Sequence, residues 1–237
     1  MAEQSKTVDA ALTVLTLLAE GDAGPTTPSA ASLARRLGVS RTAVARMLTT
    51  LESHRLARRT ARGWEPGLGL LALAAGIEPR LRGVARPELE ALAARFGETA
   101  VLTVREGDEA VAVDQVVAGS GVVQIHYPTG TRHPVGVAAS GRALVADPGI
   151  GAGVVFSTGE LEPGVRGVAA PVLDGCGRTV ASVGLVAPEH RFPPADPVAA
   201  AVREAAARIG GGLARPASPT SAPATGGGHD AVLPARR

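Results

Sequence analysis

The chain has 237 residues, 45% of them hydrophobic, and 24 Lys or Arg against 22 Asp or Glu leave a formal net charge of +2. That is enough apolar material for a buried core in each of two domains. A single cysteine, Cys176, excludes an internal disulfide framework and fits a cytoplasmic protein. The start Met-Ala-Glu-Gln-Ser-Lys lacks a basic stretch before an apolar core, so no signal peptide is expected. The longest apolar run, Leu68 to Ile77, is too short and glycine-rich to span a bilayer, so no membrane partner is expected either.

From the N-terminus, Val8, Leu12, Leu15 and Leu18 or Ala19 recur at helical spacing and predict a first helix with one apolar stripe. Residues 22–29 read as a loop ending in a helix cap at Pro28 or Ser29. Between Leu33 and Leu51 the spacing is that of two short helices about a tight turn. Leu33, Leu37, Val39, Val44, Leu48 and Leu51 supply the buried faces, Gly38 the reversal, and Ser40 the cap of the second helix. Outward on that second helix are Arg41, Thr42, Ala43, Arg46 and Thr49, short or basic side chains near a helix N-terminus. This is the composition of a recognition helix meeting base edges and phosphates. Ser40, Arg41, Thr42 and Arg46 are therefore candidate DNA contacts.

Leu56 to Arg59 and Gly63 to Glu65 predict two short strands around a basic tip, a wing, with Arg58, Arg59 and Arg62 placed to touch DNA backbone or minor groove. Trp64 is expected to pack the wing down rather than stack on a base. Charge agrees with this division. Residues 35–62 hold eight arginines against one acid, Glu52, whereas residues 80–213 hold twelve arginines against fourteen carboxylates. The basicity is local, as a polyanion footprint requires. Double-stranded DNA is the partner implied.

Leu68 to Ile77 predicts a linker helix and Pro87 to Phe96 another, with Leu89, Leu92 and Phe96 on one face. Ala100 to Arg105 and Ala110 to Val117 alternate as a hairpin closed by Gly107-Asp108. Val122 to His126 reads as a further strand and Ala138 to Ala146 as a helix. Gly167 to Leu173 and Val180 to Val186 read as strands across the turn 174–177. From Ala214 the chain is rich in Pro, Ser, Thr and Gly, too poor in apolar surface to offset its ordering entropy, and predicts a disordered tail. The predicted architecture is thus two-domain. A mostly α winged helix-turn-helix over 5–66 is followed by a linker helix over 67–80, an α+β domain with an antiparallel sheet over 81–213, and a tail over 214–237.

Catalytic and metal chemistry find little support in the spacing. Ser140 precedes a glycine without the Gly-x-Ser-x-Gly elbow, and the histidines at 54, 126, 133, 190 and 229 show no triad spacing. His126 and His133 lack neighbours at ligand spacing, and Cys176 lies in a predicted turn without a basic partner. Residues 149–153 lack the Gly-Lys-Ser/Thr ending of a phosphate loop. No enzyme activity, metal or cofactor is expected.

The order of motifs resembles the IclR family of bacterial transcription regulators over residues 6–213. The resemblance rests on Leu33 to Leu51, on Gly97-Glu98-Thr99-Ala100 entering a strand, and on Gly130 through Pro134 leading to Ala139-Ser140-Gly141-Arg142-Ala143-Leu144. It rests also on Gly159-Glu160, Gly164-Val165, Val168-Ala169-Ala170-Pro171-Val172 and a last strand closing at Pro188. It implies a GAF-like effector domain, a homodimer or homotetramer, and repression or activation adjusted by a small organic acid or aromatic effector lying near Ala139, Ser140 and Gly141. Residues 147–164 are shorter than the helical segment usual in the family, and Gly184 and Val186 stand where members often offer small polar residues. Two further readings follow: a DNA-binding protein whose degenerate sensor only oligomerises, and a small-molecule-processing domain with an accessory winged helix.

Overall fold

The computed structural model describes residues 5–20, 27–118, 124–146 and 153–214. The chain forms two compact units, the first ending at Pro79 and the second beginning at Arg80. The expected tail from residue 215 onward, and residues 147–152 of the shortened segment, lie outside the described residues.

The first unit runs α1 (Lys6–Glu20), α2 (Ala30–Leu37), α3 (Arg41–Ser53), β1 (Ala57–Arg59), β2 (Trp64–Pro66) and α4 (Gly69–Ala75). Local chemistry sets the ends of its central helices. The Ser29 hydroxyl accepts from the Ser32 amide, and the Ser32 hydroxyl from the Ser29 amide, a reciprocal cap that starts α2. Gly38 ends it at φ 66°, a left-handed conformation that costs an L-residue strain, and Ser40 opens α3 by accepting from the Ala43 amide at 3.1 Å. Val14, Leu18, Leu33, Val44, Leu48 and Leu51 close into one core, against which Trp64 packs as expected.

Two positions depart from the expected pattern. Val39 is 37% exposed, because it follows the left-handed Gly38 and leaves the face that Leu33 and Val44 bury. On α1 the buried pair is Val14 and Leu18, one turn apart, while Val8 and Leu12 are 57% and 56% exposed. The covered face, Ala10, Ala11, Val14, Leu15 and Leu18, is turned from the expected stripe, so that Val8, Leu12 and Ala19 look outward. On α4, shorter than the linker helix expected over 68–77, Leu71 and Leu73 are exposed, as are the flanking Leu68 and Ile77.

The second unit runs α5 (Pro79–Phe96), β3 (Thr99–Glu106), β4 (Glu109–Val116), β5 (Arg132–Pro134), α6 (Ala138–Val145), β6 (Val155–Thr158), β7 (Val165–Leu173), β8 (Thr179–Pro188), a 3-10 turn (Glu189–Arg191) and α7 (Ala195–Ala214). Its sheet is antiparallel in the order β5-β4-β3-β8-β7-β6. Alternation of side chains divides the sheet into two faces. Val168, Ala170 and Val172 of β7 and Ala181, Val183 and Leu185 of β8 join the core formed with α5 and α7, whereas Ala169 packs with Ala139 and Ala143 of α6. These contacts are built from small side chains: Ala93, Ala139, Ala143, Ala169, Ala181 and Ala205 are all buried, in a chain only 2% aromatic.

Here the structure corrects several expectations. The helix expected to begin at Pro87 begins at Pro79. The apolar period Leu81, Ala85, Leu89, Leu92 runs through Pro87, which sits exposed inside the helix and removes one backbone bond without ending it. Residues 122–123 of the strand expected at Val122 to His126 lie outside the described residues, and 124–126 are not strand. The Thr99 hydroxyl donates to the Ile125 carbonyl and the Gln115 side chain accepts from the Tyr127 amide, so side chains take the bonds a ladder would use. Strand β6 and helix α7 were not expected from sequence.

Candidate DNA interface and ligand cavity

On the first unit, Ser40, Arg41, Thr42 and Arg46 are all exposed: Thr42 and Arg46 lie on the side of α3 away from Val44, Leu48 and Leu51, and Arg41 stands at the open first residue of the helix. Among the described residues neither Arg41, Arg46 nor Arg59 has an ion-pair partner. The wing arginines differ from one another. β1 and β2 pair Arg58 directly opposite Glu65, and an Arg58 Nη2 stands 2.8 Å from Glu65 Oε2. Arg62 Nη2 lies 4.0 Å from Glu65 Oε1. Sequence reasoning counted Arg58, Arg59 and Arg62 as equivalent and stopped its charge tally short of Glu65, the acid that two of them face.

On the second unit, a cavity of about 500 Å³ opens between the start of α6, the far strands of the sheet and the chain around residues 124–131. Val101, Val165, Ala169 and Val186 give it apolar walls, and Ser140, Ser157, Glu160 and Arg132 give it polar ones. Its floor needs glycine at 184, where a Cβ would come 2.2 Å from the Val168 carbonyl oxygen. Ala139 and Ser140 line the cavity. Gly141 is buried instead under the His133 ring, where a Cβ would stand 3.0 Å from Cε1.

The first turn of α6 is fastened from several sides. Ala138, at φ 57°, donates its amide to Glu160 Oε2 at 2.8 Å, and Arg142 donates to Glu160 Oε1 at 2.6 Å. Burial alone would raise the Glu160 carboxyl, but the Ala138 amide and the Arg142 guanidinium outweigh it and hold the group below the ordinary carboxylate range. The Ser182 hydroxyl donates to the Ser140 carbonyl at 2.9 Å. Ser140 Oγ lies 3.1 Å from His133 Nε2, and His133 Nδ1 lies 3.1 Å from the Pro134 carbonyl oxygen. That carbonyl can only accept, so Nδ1 carries a proton, and in the neutral ring the Ser140 hydroxyl donates to Nε2. A serine and histidine that spacing did not link are thus in contact. The group orienting the ring is a carbonyl rather than the carboxylate of a triad, and the contact ties β5 to α6.

Beside them Tyr127 carries a buried hydroxyl with no hydrogen-bond partner among the described residues, and burial pushes its pKa up to about 12. Cys176 lies exposed in the turn between β7 and β8. Among the described residues no group of three or more His, Cys, Asp or Glu could hold a metal ion, and no helix is long and apolar enough to cross a membrane.

Comparison with known proteins follows the same two-part division. The IclR helix-turn-helix domain model matches residues 7–61, and the model of the bacterial transcriptional regulator IclR C-terminal domain matches residues 78–148. The HTH-type transcriptional regulator KipR of Bacillus subtilis (strain 168) is 30% identical over 112 residues, which are 46% of this chain and 44% of that relative. The chain therefore spans less than half the length of the curated relative it matches. Among solved structures, an IclR transcriptional regulator from Alicyclobacillus acidocaldarius is similar at a TM-score of 0.70 and 25% identity, over 89% of this chain and 100% of that one. An IclR homolog complexed with 4-hydroxybenzoate, from Microbacterium hydrocarbonoxydans, shares the fold at a TM-score of 0.74 and 21% identity, over 88% of this chain and 99% of that one. A winged helix-turn-helix unit with an outward basic helix, an antiparallel α+β unit holding a cavity, and family models matching each in turn place this chain in the IclR family of bacterial transcriptional regulators.

Proposed function

We propose that the chain is a cytoplasmic DNA-binding regulator whose occupancy of an operator is adjusted by a small organic molecule. The observation that carries the DNA reading is the exposed pair Arg41 and Arg46, at the start and on the outer side of a helix that Val44, Leu48 and Leu51 fix in the core. Inserted in a major groove, α3 sets these two guanidiniums against base edges and phosphates, with Ser40 and Thr42 near the backbone and Arg58, Arg59 and Arg62 over the wing's phosphates. A second copy of the chain is the natural cover for the apolar side chains Val8, Leu12, Leu71 and Leu73 left open on α1 and α4. Two-fold pairing then requires a roughly palindromic site with half-sites about one helical turn apart.

The effector reading rests on the cavity of about 500 Å³, within the range that holds a small organic ligand. The likeness to a homolog holding 4-hydroxybenzoate supports a compact aromatic or organic acid, with Ala139 and Ser140 at the first turn of α6 as its polar end. A second reading, in which this unit only oligomerises, is favoured by Glu160, whose carboxylate already occupies the Ala138 amide.

Selection of bound duplexes from a random pool with the full chain tests the first part. Enrichment of a palindrome whose binding falls on changing Arg41 or Arg46 supports it, and binding indifferent to both changes removes α3 from the interface. Thermal shift with small aromatic and aliphatic acids tests the second, since a ligand at about 100 times its Kd adds about 2.7 kcal/mol. No shift with any acid leaves the oligomerisation reading.

A further inference from the structure

The wing carries its own competitor for phosphate. Arg58 and Glu65 stand opposite each other in the only register the three-residue strands make, and Arg62 from the tip approaches the same carboxylate. Side chains of Arg58 and Arg62 are 54% and 77% exposed, while Glu65 is only 17% exposed. The Thr60 hydroxyl, 3.2 Å from the Gly63 carbonyl oxygen and 3.4 Å from Glu65 Oε1, shares its one proton between them. The carboxylate is thus held in place at the base of the wing while both cations reach down to it from solvent. Among the described residues Arg59 has no such partner.

We propose that Glu65 holds Arg58 and Arg62 back from the DNA backbone, so that the wing grips phosphate with less charge than its arginines supply and sequence-independent affinity is kept low. This rests on the reading that the wing meets DNA. A guanidinium bonded to a carboxylate at 2.8 Å must give up that bond, or share it, before it can neutralise a phosphate. The carboxylate itself repels phosphates lying within a Debye length of about 8–10 Å. Non-specific binding draws almost wholly on phosphate contacts, whereas operator binding adds base contacts from α3 that Glu65 does not touch. The acid therefore lowers the first more than the second and widens the gap between them.

Glu65→Gln tests this in the full chain, since the amide keeps the size of the side chain and an acceptor for Arg58 and Thr60 while removing the charge. Affinity for a mixed-sequence duplex is followed by fluorescence anisotropy over a salt series. The variant binds more tightly than wild type, and its plot of log K against log salt steepens by about 0.9 for each further phosphate that an arginine neutralises, or about 3.5-fold more affinity lost between about 50 and 200 mM salt. Its preference for the selected operator over mixed sequence narrows. Arg58→Gln in the wild-type background provides a check that does not depend on the Glu65 variant folding. It changes the slope by far less than the ~0.9 of an unrestrained arginine on phosphate, and in the Glu65→Gln background it removes the increase.

A folded Glu65→Gln protein with unchanged slope, or with weaker binding, overturns the proposal and leaves Glu65 as a brace for the hairpin. So does an Arg58→Gln slope change of full size in wild type. A wild-type chain that binds no duplex at all overturns the DNA reading itself, and this inference with it.

Discussion

Gly38 joins the two helices of the DNA-binding motif, and its replacement separates conformational strain from crowding. The residue sits at φ 66°, and a Cβ built there meets nothing within 4 Å, so the backbone angle alone decides the outcome. Placing an L-residue in the left-handed region costs about 1–2 kcal/mol, while replacing glycine by alanine restricts the unfolded chain and returns about 0.4–1 kcal/mol. Gly38→Ala is therefore expected to destabilise the first unit by about 1 kcal/mol. Gly38→Asn, a residue that visits this region readily, should be close to neutral, and the β-branched Gly38→Val should cost more than alanine.

The sole tryptophan, Trp64, packs against the core of this unit and gives it a private fluorescence signal in urea titrations of the full chain. With a denaturant slope of about 1 kcal/mol/M for so small a unit, the Ala variant should unfold about 1 M earlier in urea. Operator affinity should fall in the same order, because the residue after Gly38 leads into the cap of α3. An alanine variant as stable as wild type, or more so, would refute the reasoning, since the entropic benefit would then outweigh the strain.

Other expectations concern single side chains. Arg46→Ala should cost about 1–3 kcal/mol against the selected operator and relax preference at one base pair, as read by competition with single-site operator variants. An equal loss on every sequence would make Arg46 a phosphate contact. Arg59→Ala should lower the salt slope by about 0.9 on all sequences alike, and an unchanged slope would take Arg59 off the DNA. Tyr127 is the only tyrosine, so phenolate absorbance reports on it alone. Its pKa, raised from 10.0 to about 12, favours the neutral phenol in the folded state. The contribution is fully present below pH 10.0 and is lost as pH rises through about 12. Phenolate appearing near its ordinary pH in the native protein, or a Tyr127→Phe variant with the same alkaline stability profile as wild type, would contradict that burial.

What could be read from the sequence followed how local its causes are. The turn at Gly38, the caps at Ser29 and Ser40, and the β3–β4 hairpin each depend on residues within a few positions of one another, and all are present in the structure. The exposed set on α3 follows from the same helical period. The phase of α1 was less legible, because Val8 and Leu12 repeat the period of Val14 and Leu18 and only the partner surface decides which pair is covered. Helix α7 did carry a signal, Val198, Val202, Ala205 and Ile209 at helical spacing, but eight of its twenty residues are alanine and its last turns hold Gly210-Gly211-Gly212, whose composition imitates a loop. The Ser140 to His133 contact and the hold of Glu160 on Ala138 depend on how β5, α6 and the chain after β6 are brought together, which no spacing encodes. Glu65 was visible as a residue, but its grip on Arg58 required the strand register.

The alanine contacts of the second unit add a second kind of vulnerability to a protein interior. Where leucines fill a core, harm comes chiefly from cutting side chains down. At Ala143, Ala181 or Ala205, each wholly enclosed, there is a single methyl to lose and no room for another. Enlargement to valine forces neighbours apart at about 1–3 kcal/mol each. Random mutagenesis of this unit should therefore find damaging alleles at alanines that have grown as well as at Leu89, Leu102 or Leu185 cut down, and any lineage reshaping the cavity for a new molecule has its freedom on the rim rather than beneath it.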